Sequence, residues 1–151
     1  MDAALFDQVK ASARRLQVSS LSVLMAAWAI LLNRLSAQSQ FTIGVPTAGH
    51  NEMGVGHFVG YASEVKGVTV AIDPEQTTDA FIHQITERIR LAQQDQPVAN
   101  MPISSLFNVD RGVSLTLDNQ PRWGWVPVSC VKQPLFLNIL EFNGNCVSIL
   151  M

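Results

Sequence analysis

Apolar residues recur at helical spacing through the first third of the chain. Leu5, Phe6, Val9 and Leu16 fall on one side of residues 3–17 and predict an amphipathic helix. After a break at residues 18–20, Leu21, Leu24, Met25, Trp28, Leu31, Leu32 and Leu35 follow at intervals of three and four, which predicts a second, buried helix. Ser19 or Ser20 can cap its start, because a short hydroxyl side chain accepts a bond from an amide left over in the first turn. Arg34 suits the negative end of the same helix. Residues 41–45 (FTIGV) are β-branched and aromatic, and with Gly44 and Pro46 at their end they read as a short strand entering a turn. Residues 65–72 alternate loosely and stop at Asp73-Pro74, which makes a second strand. Phe81, Ile82, Ile85, Ile89 and Ala92 give a third helical stripe running through Gln94. Its start is either Asp73, followed by Pro74 and Gln76, or one of Thr77 and Thr78. Pro97 and Pro102 punctuate the segment that ends it.

The character changes from residue 103. Short apolar runs at 106–109, 113–117, 125–131, 135–140 and 146–150 are separated by Asp, Gly, Asn and Pro, and Asn143-Gly144 between the last two is a hairpin signal. Helices come first and mostly strands follow, with no internal repeat. That order predicts a mixed α/β layer structure rather than a regular βαβ alternation.

Composition adds one point to this picture. The 151 residues fit a single domain, 48% are apolar and only 15% are charged, against roughly 25% charged in an ordinary soluble domain. Mean hydropathy is +0.19. Disorder is excluded, since it requires low hydrophobicity and high charge. A net charge of −2 and no basic stripe argue against a nucleic-acid partner. A chain short of solvated surface is built to lean on something larger. Arg14 and Arg15 ahead of the uncharged run at 21–32 superficially resemble a secretion signal. However, Asp2 and Asp7 spoil the basic lead, and the run falls short of the ~20 residues a bilayer crossing needs. The expectation is a cytoplasmic protein with no membrane partner. Cys130 and Cys146 carry no metal-type spacing and read as small buried hydrophobes in a reducing compartment, though a bridge between them stays possible.

Familiar catalytic signatures are missing: no GxSxG, no P-loop, no GxGxxG and no HExxH. His50, Glu52 and His57 cluster in a Gly-rich loop that reads as a connector or, less simply, as a metal site; no third imidazole or thiolate stands at ligand spacing, and no metal is expected. His83 lies four residues before Glu87 and forms a solvated polar pair on its helix. Asp95, Asp110 and Asp118 sit in loops, as turn formers do. Trp123 and Trp125 would share one face of a strand, as a core contact or as an exposed interface pair.

The order of several segments resembles one family. Residues 20–36 (SLSVLMAAWAILLNRLS) are similar to the "lhaallaAwalLLhrlsgq" stretch of nonribosomal peptide synthetase condensation domains, and residues 41–50 (FTIGVPTAGH) to their "ivvGtPvagR" segment. Val55, Gly56, His57, Phe58, Val59, Gly60 and Tyr61 resemble the "iGxFVNT" motif. Residues 94–97 (QDQP), which hold Asp95 and Pro97, resemble "HQDyPfe", and residues 104–109 (SSLFNV) resemble "rsPLFqv". The matched motifs are worn. Gly60-Tyr61 stands where the family has Asn-Thr, Val65 where it has Arg, Gln96 where it has an aromatic, and Asn100-Met101-Pro102 replaces its Arg-Asp.

The resemblance implies an α/β fold: half of a chloramphenicol acetyltransferase-like two-lobed structure, with a mixed sheet and helices packed on one face. Residues 1–151 would form a single domain, the C-terminal lobe, truncated or degenerate. In that family the HHxxxDG motif lies on the N-terminal lobe, and this chain has no adjacent histidine pair. The implied function is a non-catalytic structural or carrier-docking element in peptide secondary-metabolite biosynthesis, with no catalytic residue of its own. Residues 55–61, Asp95 and Pro97 would lie near the lobe seam. The alternative is one lobe of an active enzyme that forms amide bonds between carrier-bound thioesters, its histidines supplied by the missing lobe. Partners would be neighbouring synthetase domains and a peptidyl carrier protein. The carrier, not this chain, would bear 4'-phosphopantetheine. Lys10, Arg14, Arg15 and Arg34 give the first 40 residues a net +2. They are either contacts for an acidic carrier or ordinary solvated helix-face charges.

Overall fold

The computed structural model describes residues 2–48, 63–94, 102–111, 116–117, 120–121, 135–142 and 145–150. Helix α1 (Ala3–Leu16) begins at Asp2, whose carboxylate accepts the Leu5 amide at 2.7 Å, and it buries Phe6, Ala13 and Leu16. It ends at Gln17, which adopts the left-handed conformation (φ 57°) and turns its amide back to the Ala13 and Arg14 carbonyls. Helix α2 (Ser20–Ser36) follows after a 108° bend. Ser19 is its cap: the Ser19 hydroxyl oxygen accepts the Ser22 amide at 3.1 Å. Helix α3 (Thr78–Gln94) starts from Thr77, whose Oγ1 accepts the Ala80 amide. Asp73 instead closes a turn before the helix, accepting the Glu75 amide on its side chain and the Gln76 amide on its carbonyl.

The strands are β1 (Gln40–Ala48), β2 (Ser63–Ala71), β3 (Ser105–Arg111), β4 (Thr116–Leu117), β5 (Gln120–Pro121), β6 (Phe136–Phe142) and β7 (Asn145–Leu150). Five of them form a mixed sheet in the order β2-β1-β3-β6-β7. The β1–β2 and β6–β7 pairs are antiparallel, whereas β1–β3 and β3–β6 are parallel. The crossover from β1 to β3 therefore runs through β2 and α3. Strands β4 and β5 make a separate two-residue ladder. The β5 segment was not foreseen, because Pro121 within it argues against a strand.

Register sorts the side chains into two faces. Phe41, Ile43 and Val45 oppose Val70, Val68 and Lys66, and Ile43 is level with Ser105. Phe107 lies beside Leu137, and Val109 beside Ile139. These residues meet Phe6, Leu16, Met25, Ala26, Trp28, Phe81, Ile82, Ile85 and Ile89 in one hydrophobic core. The helices thus cover a single face of the sheet, as expected. The Trp28 indole N–H donates to Ser105 Oγ at 3.1 Å, tying α2 to the middle of the sheet inside that core.

The opposite face is partly polar and still tightly built. Asn108 donates to Asn138 at 3.3 Å across paired strands, and Thr42 and Asn138 are both buried. Gly44 leaves no room for a side chain there. A Cβ would come within 2.6 Å of Leu106 Cδ2 and 2.9 Å of Val65 Cγ1.

One helix differs from its sequence reading. Along α2 the buried residues are Ser22, Met25, Ala26, Trp28 and Ala29, whereas Leu31 is 45% and Leu35 75% exposed. A helix apolar nearly all round has no single stripe, and spacing alone does not show which flank meets the sheet. The runs at 125–131, the Trp123–Trp125 pair, Asn143-Gly144 and Cys130 lie outside the described residues, as does any statement about the Cys146 side chain.

Candidate functional site

The motif positions expected at the lobe seam, Val55, Gly56, His57, Phe58, Val59, Gly60, Tyr61, Asp95 and Pro97, lie outside the described residues, as do His50 and Glu52. What the structure does define is the scaffold on either side of them and two concave surfaces on the helix-bearing side.

The first is a cavity of about 520 Å3 at the corner between α1 and α2, floored by Val109 of β3 and Glu141 of β6. Phe6, Lys10 and Arg14 line one wall, and Ser19, Ser20 and Leu21 the other. Lys10 is committed within it: its Nζ sits 2.9 Å from Glu141 Oε1 and 4.3 Å above the Phe6 ring. A half-buried cation shared between a carboxylate and an aromatic face is held more firmly than a surface lysine. Arg14 stands exposed on the rim.

The second is a groove of about 370 Å3 between α2 and the β6–β7 edge, lined by Leu24, Ala27, Trp28, Leu31, Leu137, Ile139 and Leu150. Among the described residues its lining holds no charged or polar side chain beyond the indole of Trp28. Leu31, Leu35 and Leu150 leave 45%, 75% and 60% of their surface exposed, so apolar surface continues from the groove along α2.

Ionised groups elsewhere among the described residues pair within and between elements of the fold. Arg15 of α1 grips Asp79 of α3 through two hydrogen bonds of 2.8 and 3.0 Å. Those bonds hold the Asp79 carboxyl below the usual carboxylate range and raise the Arg15 guanidinium. Glu87 is likewise lowered by hydrogen bonds from Arg90, at 2.8 and 2.6 Å. Arg90, not His83, is therefore the partner of Glu87; His83 acts at a distance on Asp79, whose charge it favours. Two of the four cations in the first 40 residues, Lys10 and Arg15, are thus tied to carboxylates on other elements.

Lys66 of β2 is 2% exposed, with its Nζ 3.5 Å from Glu64 Oε2 on the same strand. Both point to the helix-covered face. Only the lysine of this pair is buried; the Glu64 side chain is 36% exposed. Among the described residues no group of three or more His, Cys, Asp and Glu is placed to hold a metal ion. No single described helix is long and apolar enough to cross a membrane. Sequence reasoning missed both concave surfaces. The only local sign of the groove was the excess of leucines around α2 over what one buried stripe needs.

Comparison with known proteins gives this scaffold its relatives. Residues 1–117 match the family described as Condensation domain. Over 116 residues the chain is 30% identical to the nonribosomal peptide synthetase kk1B of Curvularia clavata, which covers 76% of this chain and 1% of that synthetase. Among solved structures, a four-domain nonribosomal peptide synthetase, holo-AB3403 bound to AMP and glycine, superposes on 98% of this chain with a TM-score of 0.82 at 17% identity. The match takes in 14% of that protein's length. The condensation domain that mediates chain release from the enacyloxin polyketide synthase superposes on 99% of this chain, with a TM-score of 0.73 at 16% identity, and 34% of its own length is matched. The fold is therefore that of condensation domains, in a chain spanning a third or less of these relatives. With the family match running from the first residue through β4, this chain belongs to the condensation-domain family.

Proposed function

We propose that the chain is the C-terminal lobe of a condensation domain and serves a peptide synthetase as a non-catalytic structural unit, seated on the rest of a condensation fold through apolar surface beside α2. The observation that carries this reading is the groove between α2 and β6–β7, with Leu31, Leu35 and Leu150 exposed around it. Contiguous apolar surface on a low-charge domain marks a place where another element packs. The occupant follows from length. The match takes in 34% of the enacyloxin condensation domain, and the remaining two-thirds of such a domain supplies the occupant. Support for the non-catalytic role comes from the sequence: three histidines, His50, His57 and His83, with no two adjacent. On this reading the protein works in the cytoplasm, among neighbouring synthetase domains.

The test is a chimera in which this chain replaces the matching part of a related condensation domain. The chimera is expected to purify as one folded unit, and Leu31→Glu is expected to lower its melting temperature while leaving that of the isolated chain unchanged. An equal melting temperature in both chimeras would overturn the seat. Amide formation by the chimera, whose other lobe carries the family's HHxxxDG motif, from two carrier-bound aminoacyl thioesters and above the uncatalysed background, would overturn the non-catalytic role and favour the enzyme reading.

The α1–α2 cavity favours a second role, contact with an acidic carrier protein, because Arg14 stands on its rim beside the start of α2. An isotope-labelled carrier, apo and phosphopantetheinylated, titrated with the chain should then show saturable amide shifts that Arg14→Gln weakens. Absence of shifts with the unaltered chain would leave the structural role alone.

A further inference from the structure

We draw no further inference here: the strongest candidate, the apolar groove between α2 and the β6–β7 edge, is the surface on which the proposed function already rests, and nothing in the structure shows a different occupant for it.

Discussion

The two ends of the helix-covered face of the five-stranded sheet use similar residues and end up in different surroundings. Beneath α2 and α3, Ile43, Val68, Val70 and Phe107 are at most 1% exposed, and Trp28 reaches through the layer to Ser105. At the β6–β7 end of the same face, Ile139 and Leu137 are just as apolar, yet they line a groove together with Leu150 and the outer flank of α2. Alternation along a strand tells which face meets the helices. It does not tell whether the helix layer extends over every strand. Layer completeness is a property of how many elements the chain supplies: the helix layer buries Ile43, Val68, Val70 and Phe107 fully and leaves Leu150 exposed.

The sharpest way to test that contrast is to truncate an apolar side chain in each region. Phe107→Ala empties a site with no exposure, and truncating a fully buried aromatic costs about 3–5 kcal/mol. Chemical denaturation should show that loss, or failure to fold. Leu31→Ala on the groove side should fall within about 0.5 kcal/mol of the unaltered chain, as exposed positions do. Equal losses would mean that the groove is closed in solution and that the two ends are not different.

Gly44→Ala probes the face away from the helices by filling it instead. The new methyl would press on Leu106 and Val65 at 2.6 and 2.9 Å on the face away from the helices, and overpacking of this kind costs about 1–3 kcal/mol. A neutral outcome in urea unfolding would show that the second face yields easily and is less firmly built than its distances indicate.

Much of this was legible in the sequence, for reasons that are local. The periodicity of residues 81–92 is a property of one helix and survives folding unchanged. Ser19 caps α2 because hydroxyl and amide are three residues apart. The contacts that define the two ends are not local: Trp28 meets Ser105 across 77 residues, and Arg15 meets Asp79 across 64. No spacing rule reaches that far. The Glu87 partner was misread for a different reason, since the histidine four residues before it and the arginine three residues after it both suit a helix face. The permanently charged, forked guanidinium makes two bonds where an imidazole makes one. Family motifs supplied what spacing could not, namely the fold, although the seam residues that carry the most specific of them lie outside the described part.

Between these extremes lies the hinge of the helix layer. Ser19→Ala removes the hydroxyl that satisfies the Ser22 amide at the start of α2, and loss of a serine cap costs about 1 kcal/mol. Because α2 borders both ends, the loss should appear equally in unfolding and in protection of the Trp28 indole N–H from exchange. A drop in stability with no change in exchange at Trp28 would uncouple the cap from the sealed end.

The smallest effect concerns pH, and its sign is fixed by the Arg15–Asp79 pair that links α1 to α3 on the outer surface of the sealed end. Hydrogen bonds from Arg15 lower the Asp79 carboxyl below its ordinary value of 3.8 in the folded chain. A depressed carboxylate contributes stability that is fully present above the unfolded value and is lost as pH falls through the folded one. Glu87, lowered by Arg90, contributes with the same sign at the far side of α3. Both pairs are exposed, so screening keeps the contribution small and salt should shrink it further. The unaltered chain should therefore lose stability to acid below about pH 4, and Asp79→Asn should flatten that loss without abolishing it, because Glu87 remains. Unfolding curves of the two proteins that run parallel from neutral pH into acid would mean that α1 is held to the fold by its apolar face alone, through Phe6 and Leu16 in the shared core, and that the ion pair on its surface adds nothing.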